Sequence, residues 1–149
     1  MTHARQQIRQ QLVTTLTGLA STGSHVFASR AYDINVTPCL LIYTDSDQVN
    51  LENTTGATDY HELEITIEVR VKASQSTQSN VNNTVDSICK EVETALFADP
   101  TLNGLVLKLQ LQNTEITLSS ETDKPVAVAT LTLAADYRIA PGSPGTIAN

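Results

Sequence analysis

Residues 59–72 read DYHELEITIEVRVK and carry the clearest periodicity of the chain. Apolar side chains at every odd position from Leu63 to Val71 alternate with polar or charged ones. Because successive side chains of a β-strand point to opposite faces, this pattern predicts a strand with one buried and one wetted face. The segment is more than twice as long as a typical strand of ~5–6 residues. We therefore expect one of its ends to project beyond the sheet as a candidate subunit contact.

A helix and two further strands are predicted before this segment. Apolar residues recur at helical spacing over residues 3–20, with Thr2 available as the N-cap. Residues 25–32 and 38–44 predict two strands, and the second should be covered on both faces because its apolar run does not alternate. Residues 45–58, DSDQVNLENTTGAT, are rich in turn formers and acids and predict a solvated loop or hairpin tip.

A second helix and two more strands are predicted after it. The helix has one apolar stripe, formed by Val81, Val85, Ile88, Val92 and Leu96. Alternating leucines predict a strand over residues 105–118, and a last strand runs over residues 125–139. Residues 140–149, APGSPGTIAN, predict a flexible C-terminal tail.

These elements together predict one α+β domain over residues 1–139. The order is helix, three strands, helix, two strands. That order favours a mainly antiparallel sheet of about five strands with both helices packed on one face.

Composition and charge restrict the function classes. The chain has 149 residues, of which 40% are hydrophobic and 17% charged, which is typical of one folded domain. Nine Lys and Arg against sixteen Asp and Glu give a net charge of −7, which repels phosphate backbones and anionic membranes. No segment approaches the ~18 consecutive apolar residues of a membrane span. We therefore expect neither sequence-specific nucleic-acid binding nor membrane insertion.

Motifs that carry catalysis or metal binding are missing from the sequence. There is no GxGxxG, GxxxxGK[ST], GxSxG or HExxH pattern. His61-Glu62 lacks the second histidine of a zinc helix, and Asp45-Ser-Asp47 lacks the acid and glycine that continue a calcium loop. We therefore predict no catalytic residues, cofactor or metal, and expect a protein that is not an enzyme.

Charged residues on the predicted strands and loop are the candidate contact residues. Basic residues on the strands of an acidic protein are suited to pairing with acids of a neighbouring subunit, and ordinary surface charge is an equally good explanation. The candidate set is Arg30, Asp45, Asp47, Glu62, Glu64, Glu68, Arg70 and Lys72.

The layout as a whole resembles the tail terminator proteins of long-tailed bacteriophages, the family that includes the minor tail protein U type. The resemblance covers residues 3–139 and rests on order, spacing and length, because no single segment is diagnostic. The segments that carry it are the N-terminal helix, Val26-Phe-Ala-Ser-Arg30, Pro38-Cys-Leu-Leu-Ile-Tyr43, Glu62-Leu-Glu-Ile-Thr-Ile-Glu-Val-Arg-Val71, Val92-Glu-Thr-Ala-Leu96 and Ala129-Thr-Leu-Thr-Leu-Ala-Ala-Asp-Tyr137.

The resemblance implies a structural role in the virion. Proteins of this family form hexameric rings that cap the tail tube, stop its polymerisation and provide the surface to which the filled head attaches. The implied partners are further copies of the chain, the tail tube protein and head-tail connector proteins. DNA would pass through the ring without sequence-specific binding. The implied location is the tail or neck of the virion, after assembly in the host cytoplasm.

Two alternatives remain open at the level of sequence. The first is another neck component, such as a head-completion, stopper or connector protein. The second is a small ligand-binding or catalytic α+β domain whose site would use His61 or the carboxylates of the long strand.

Overall fold

The fold combines two helices with one sheet. A computed structural model describes residues 2–28, 38–72, 80–119 and 126–149. The helices are α1 (Ala4–Leu16) and α2 (Val81–Ala98). The strands are β1 (Val26–Phe27), β2 (Cys39–Val49), β3 (Asp59–Lys72), β4 (Lys108–Ser119), β5 (Val126–Ala140) and β6 (Ser143–Ile147). The predicted α+β class and the predicted order of elements are confirmed, and a sixth strand follows at the C-terminal end.

The sheet is mostly antiparallel, with the order β1-β2-β3-β5-β4, and β6 pairs with β5. Only β1 runs parallel to its neighbour β2 among the described strand pairs. The central strand β3 pairs with β5 along its whole length, from Asp59 opposite Ile139 to Lys72 opposite Val126. Neither end of β3 therefore projects beyond the sheet, and that prediction is wrong because β5 is long enough to accompany it.

The core lies between the helices and one face of the sheet. The odd-numbered residues of β3 from Leu63 to Val71 are buried together with alternate residues of β5, as their alternation predicts. Both helices contribute one buried stripe to the same core: Ala4, Ile8, Leu12 and Leu16 from α1, and Val81, Val85, Ile88, Val92 and Leu96 from α2. Burying each Leu, Ile or Val stabilises the fold by roughly 1.5–3 kcal/mol, which holds helices of modest intrinsic propensity against the sheet.

Two boundaries differ from the predictions. Strand β2 continues to Val49, so the first residues of the predicted loop over 45–58 are part of the sheet. Pairing with β3, up to Val49 opposite His61, overrides the turn preference of the acids in this segment. Helix α1 ends at Leu16, because Gly18 adopts a φ of 96° that a right-handed helix cannot continue.

The C-terminal segment is also ordered differently from the prediction. Residues 143–147 form β6, which returns along β5 after a turn in which Gly142 has a φ of 74°. The Gln7 side-chain amide of α1 donates a hydrogen bond of 2.7 Å to the Gly145 carbonyl. The prediction of a flexible tail is therefore wrong, because a glycine turn and a contact from α1 bind this segment to the domain.

The structure describes only the first part of the predicted strand over residues 25–32. β1 covers Val26–Phe27, and residues 29–32 lie outside the described part of the chain. Neither α1 nor α2, the helices of the described residues, is both long and apolar enough to cross a membrane.

Candidate interaction surface

The sheet face opposite the helices is mainly polar and is called the open face. It is formed by Tyr60, Glu62, Glu64, Thr66, Glu68 and Arg70 of β3 and by the residues in register with them on β2, β5 and β4. Its border on β2 is apolar and buried, because Cys39 and Leu41, which stand opposite Arg70 and Glu68, are 0% and 1% exposed. Residues directly opposite one another on paired strands share a face, so Glu62, Asp136 and Lys108 form one row across three strands. The open face thus collects charged groups from separate parts of the sequence.

A shallow depression of about 270 Å³ lies on this face. Its lining includes Glu62, Glu64 and Asp136 as acids and Lys108 as a base. The Lys108 ammonium lies 3.4 Å from the Asp136 carboxylate. With three acids and one base, the lining of the depression has a net negative charge. Such a surface repels phosphate groups and attracts basic side chains. Of the predicted contact residues, Glu62 and Glu64 are both exposed here.

Asp136 is the buried acid beside this depression and is only 7% exposed. The Tyr60 hydroxyl donates a hydrogen bond of 2.6 Å to its carboxylate. This hydrogen bond, together with burial, raises the pKa of Tyr60 to about 12. The Arg138 guanidinium lies 5.5 Å from the centre of the Tyr60 ring, a cation–π distance. Tyr60 and Asp136 are therefore fixed parts of the surface that sequence reasoning did not single out.

Glu68 and Arg70 interact with each other on the open face. The Arg70 guanidinium donates two hydrogen bonds to one carboxylate oxygen of Glu68, at 3.1 and 2.8 Å. The Tyr43 hydroxyl donates to the other oxygen at 2.6 Å. The Arg70 guanidinium is thus already paired with an acid of its own chain, which makes it a weaker candidate for pairing with an acid of a neighbouring molecule.

A β-bulge in β2 separates the two acids of the predicted loop. The pairing of β2 with β3 shifts register between Thr44 and Ser46, which leaves Asp45 as the extra residue. Asp45 accepts a hydrogen bond of 2.5 Å from the Thr66 hydroxyl on the open face. After the bulge, Asp47 stands opposite Leu63 and shares the helix-covered face with it.

Asp47 is consequently at the centre of a buried polar cluster. Its carboxylate accepts hydrogen bonds from the Tyr137 hydroxyl at 2.6 Å and from the Arg5 guanidinium at 3.3 Å. His61 Nδ1 lies 2.9 Å from its other oxygen, and the His61 ring stacks on the Tyr137 ring with centroids 5.0 Å apart. The Asp47 side chain is only 5% exposed. Asp47, predicted as an exposed contact residue, is therefore an internal structural residue.

Two of the predicted contact residues remain, Lys72 and Arg30. Lys72 is exposed at the end of β3. Arg30 lies outside the described residues.

The edge strand β4 carries exposed apolar residues that sequence reasoning missed. Ile116 is 48% exposed and Leu118 is 59% exposed. They stand opposite the buried Ala129 and Ala127 of β5, so they extend the apolar side of the sheet to its edge. Within the described residues, no strand pairs with the outer side of β4. The alternating pattern predicted the strand, but a periodic pattern does not reveal which strand lies at an edge.

The described residues contain no group of three or more His, Cys, Asp or Glu side chains placed to hold a metal ion. A scan against protein-family models and a search of the curated proteins found no match to this chain.

Proposed function

We propose that the protein is a tail terminator of a long-tailed bacteriophage. Six copies would form a ring that caps the tail tube, stops its growth and offers a surface to the head-tail connector. The observation that carries the proposal is the outer edge of β4, with which no strand of the described residues pairs, together with the exposed Ile116 and Leu118 on that strand.

Such an edge is a surface for association with another protein chain. The outer N–H and C=O groups of an edge strand are open to pairing, and native proteins usually protect long edge strands with proline, lysine or a covering element. β4 has 12 residues, no proline, and one lysine at its first position, Lys108. Burying Ile116 and Leu118 against a neighbour would remove apolar area from water and add backbone hydrogen bonds.

Two further features support the same role. The order of helices and strands is the layout on which the resemblance to tail terminators rests. The net charge of −7 and the acidic depression on the open face disfavour retention of a phosphate backbone. A ring through which DNA passes without being bound needs this property.

The β4 edge can be tested in a phage that lacks the gene and is complemented with variants. Ile116→Lys combined with Leu118→Lys should yield overlong tail tubes, because charged side chains cannot be buried at the contact. Thr117→Lys, on the opposite face of the same strand, is the matched control and should give tails of normal length. Both proteins are first checked for a native circular dichroism spectrum.

The outcome of the deletion itself separates the proposal from a neck function. Overlong tubes in the absence of the protein are expected for a terminator. Tails of normal length beside heads that leak DNA would contradict the proposal and indicate a head-completion or connector protein.

A further inference from the structure

Helix α1 begins with a histidine cap. His3 is the N-cap residue, and its Nδ1 atom accepts a hydrogen bond of 3.1 Å from the Arg5 backbone N–H. This contact satisfies one of the N–H groups that have no partner within a helix at its first turn. Only a neutral imidazole can accept it, because both ring nitrogens carry hydrogen in the charged form. The capping hydrogen bond therefore forms only when His3 is neutral.

The electrostatic surroundings of this cap disfavour a second positive charge. The first turn of α1 contains no acidic residue, and it contains Arg5. The N-terminal end of a helix also carries the positive end of the helix dipole. The negative charge near this turn comes from the sheet, where Asp47 accepts the Arg5 guanidinium at 3.3 Å. α1 is thus bound at its start by a neutral histidine and a carboxylate of another element.

Each packed element contributes identifiable charged or titratable groups to this region. They are Arg5 on α1, Asp47 on β2, His61 on β3 and Tyr137 on β5. The residues of β6 include no titratable side chain, and β6 reaches α1 through the Gly145 carbonyl. His61 shares Asp47 with Arg5, so a charged His61 would neutralise the carboxylate that binds Arg5.

We infer that the N-terminal turn of α1 is a pH-sensitive latch, closed on the sheet when His3 is neutral and opened when His3 takes up a proton. Protonation turns Nδ1 from an acceptor into a donor that faces the Arg5 N–H group. It also places a cation beside Arg5 and at the positive end of the helix dipole. Both changes destabilise the capped first turn of α1.

The direction of the pH dependence follows from the surroundings of His3. Burial, and then the Arg5 charge, lower the pKa of His3 from its ordinary 6.5. The folded state thus binds a proton less readily than the unfolded state, so stability rises with pH in this range. The stabilising contribution is complete above pH 6.5 and is lost as the pH falls through the lowered pKa of the folded protein. The latch is closed at neutral pH.

Amide hydrogen exchange measured by NMR on the whole protein tests the latch. At about pH 5, the Gln7 and Ile8 amides should exchange about fivefold faster than at about pH 7.5, after correction for intrinsic rates, as expected for loss of an N-cap side chain. His3→Asn keeps a capping oxygen that does not titrate, so its exchange should not change between the two pH values. His3→Ala should exchange fast at both.

Two further measurements make the test decisive. The Ile88 amide in α2 serves as an internal reference, since an equal change there would indicate global loosening and overturn the inference. A pH response in His3→Asn equal to that of the native protein would overturn it as well. A response that disappears in His61→Gln and persists in His3→Asn would assign the sensor to His61 and contradict the role of His3.

Discussion

At the scale of single residues, Asp47 is a position where contacts from three other elements of the fold converge. Its carboxylate is bound by Tyr137, Arg5 and His61, and it is almost completely shielded from water. A buried carboxylate with several donors is strongly coupled to its surroundings, because removing it leaves buried donors without partners. Asp47 therefore has to be considered part of the fold and not part of the contact surface.

Replacing Asp47 tests this assignment. Asp47→Ala should lower the free energy of unfolding by about 2–4 kcal/mol, because the buried Tyr137 hydroxyl and the His61 ring lose their acceptor. The measurement is urea unfolding followed by circular dichroism. Glu64→Ala is the control, since an exposed strand carboxylate should change the free energy by about 0.5 kcal/mol or less. Equal effects of the two substitutions would show that Asp47 is not an internal anchor.

The different positions of Asp45 and Asp47 show where sequence reasoning about the site stops. Both acids belong to a segment whose composition predicts a solvated loop. The bulge between Thr44 and Ser46 puts one on the open face and the other under α1. A one-residue register shift leaves no periodic signal in so short a segment. Glu62 and Glu64, by contrast, lie on the exposed face as their alternation predicted.

At the scale of secondary-structure elements, the C-terminal strand depends on a single turn. β5 and β6 are joined by residues 141 and 142, and Gly142 has a φ of 74°. Backbone in this left-handed region favours glycine, because a Cβ atom approaches the following carbonyl. β6 in turn meets α1 through the bond from Gln7 to Gly145.

A pair of glycine substitutions tests how much the left-handed backbone at Gly142 contributes to stability. An added Cβ would have no heavy atom within 4 Å at either Gly142 or Gly56, so sterics do not distinguish them. Gly142→Ala should cost about 1–2 kcal/mol of the free energy of unfolding, because alanine is strained at that φ. Gly56→Ala, whose φ is outside the left-handed region, should be neutral or slightly stabilising. Thermal unfolding of both variants is the measurement, and equal midpoints would contradict the assigned role of the turn.

The same elements show which parts of the fold the sequence predicts. The bounds of β3 and the buried stripe of α2 follow from periodicity, since a strict period of two or of 3.6 residues has one structural explanation. β6 and the second half of β2 depend on pairing with a neighbouring strand over residues that prefer turns. Local preference cannot predict such segments, because their stabilisation comes from distant residues.

At the scale of the whole molecule, the two faces of the sheet differ in burial and charge. One side is filled by α1 and α2 and provides the rigidity of the domain. The open face carries charge, and the β4 edge presents apolar side chains. Within the described residues, β4 and β1 form the two edges of the sheet and differ in length and sequence. A contact between two different edges is head to tail, and such a contact closes into a ring when its rotation allows.

Electron microscopy of the purified protein mixed with isolated tail tubes tests the proposed function most directly. We expect rings with six-fold symmetry seated at the tube ends, and tubes that no longer lengthen when tube protein is added. A protein that stays monomeric at high concentration and also fails to associate with tail tubes would contradict the account.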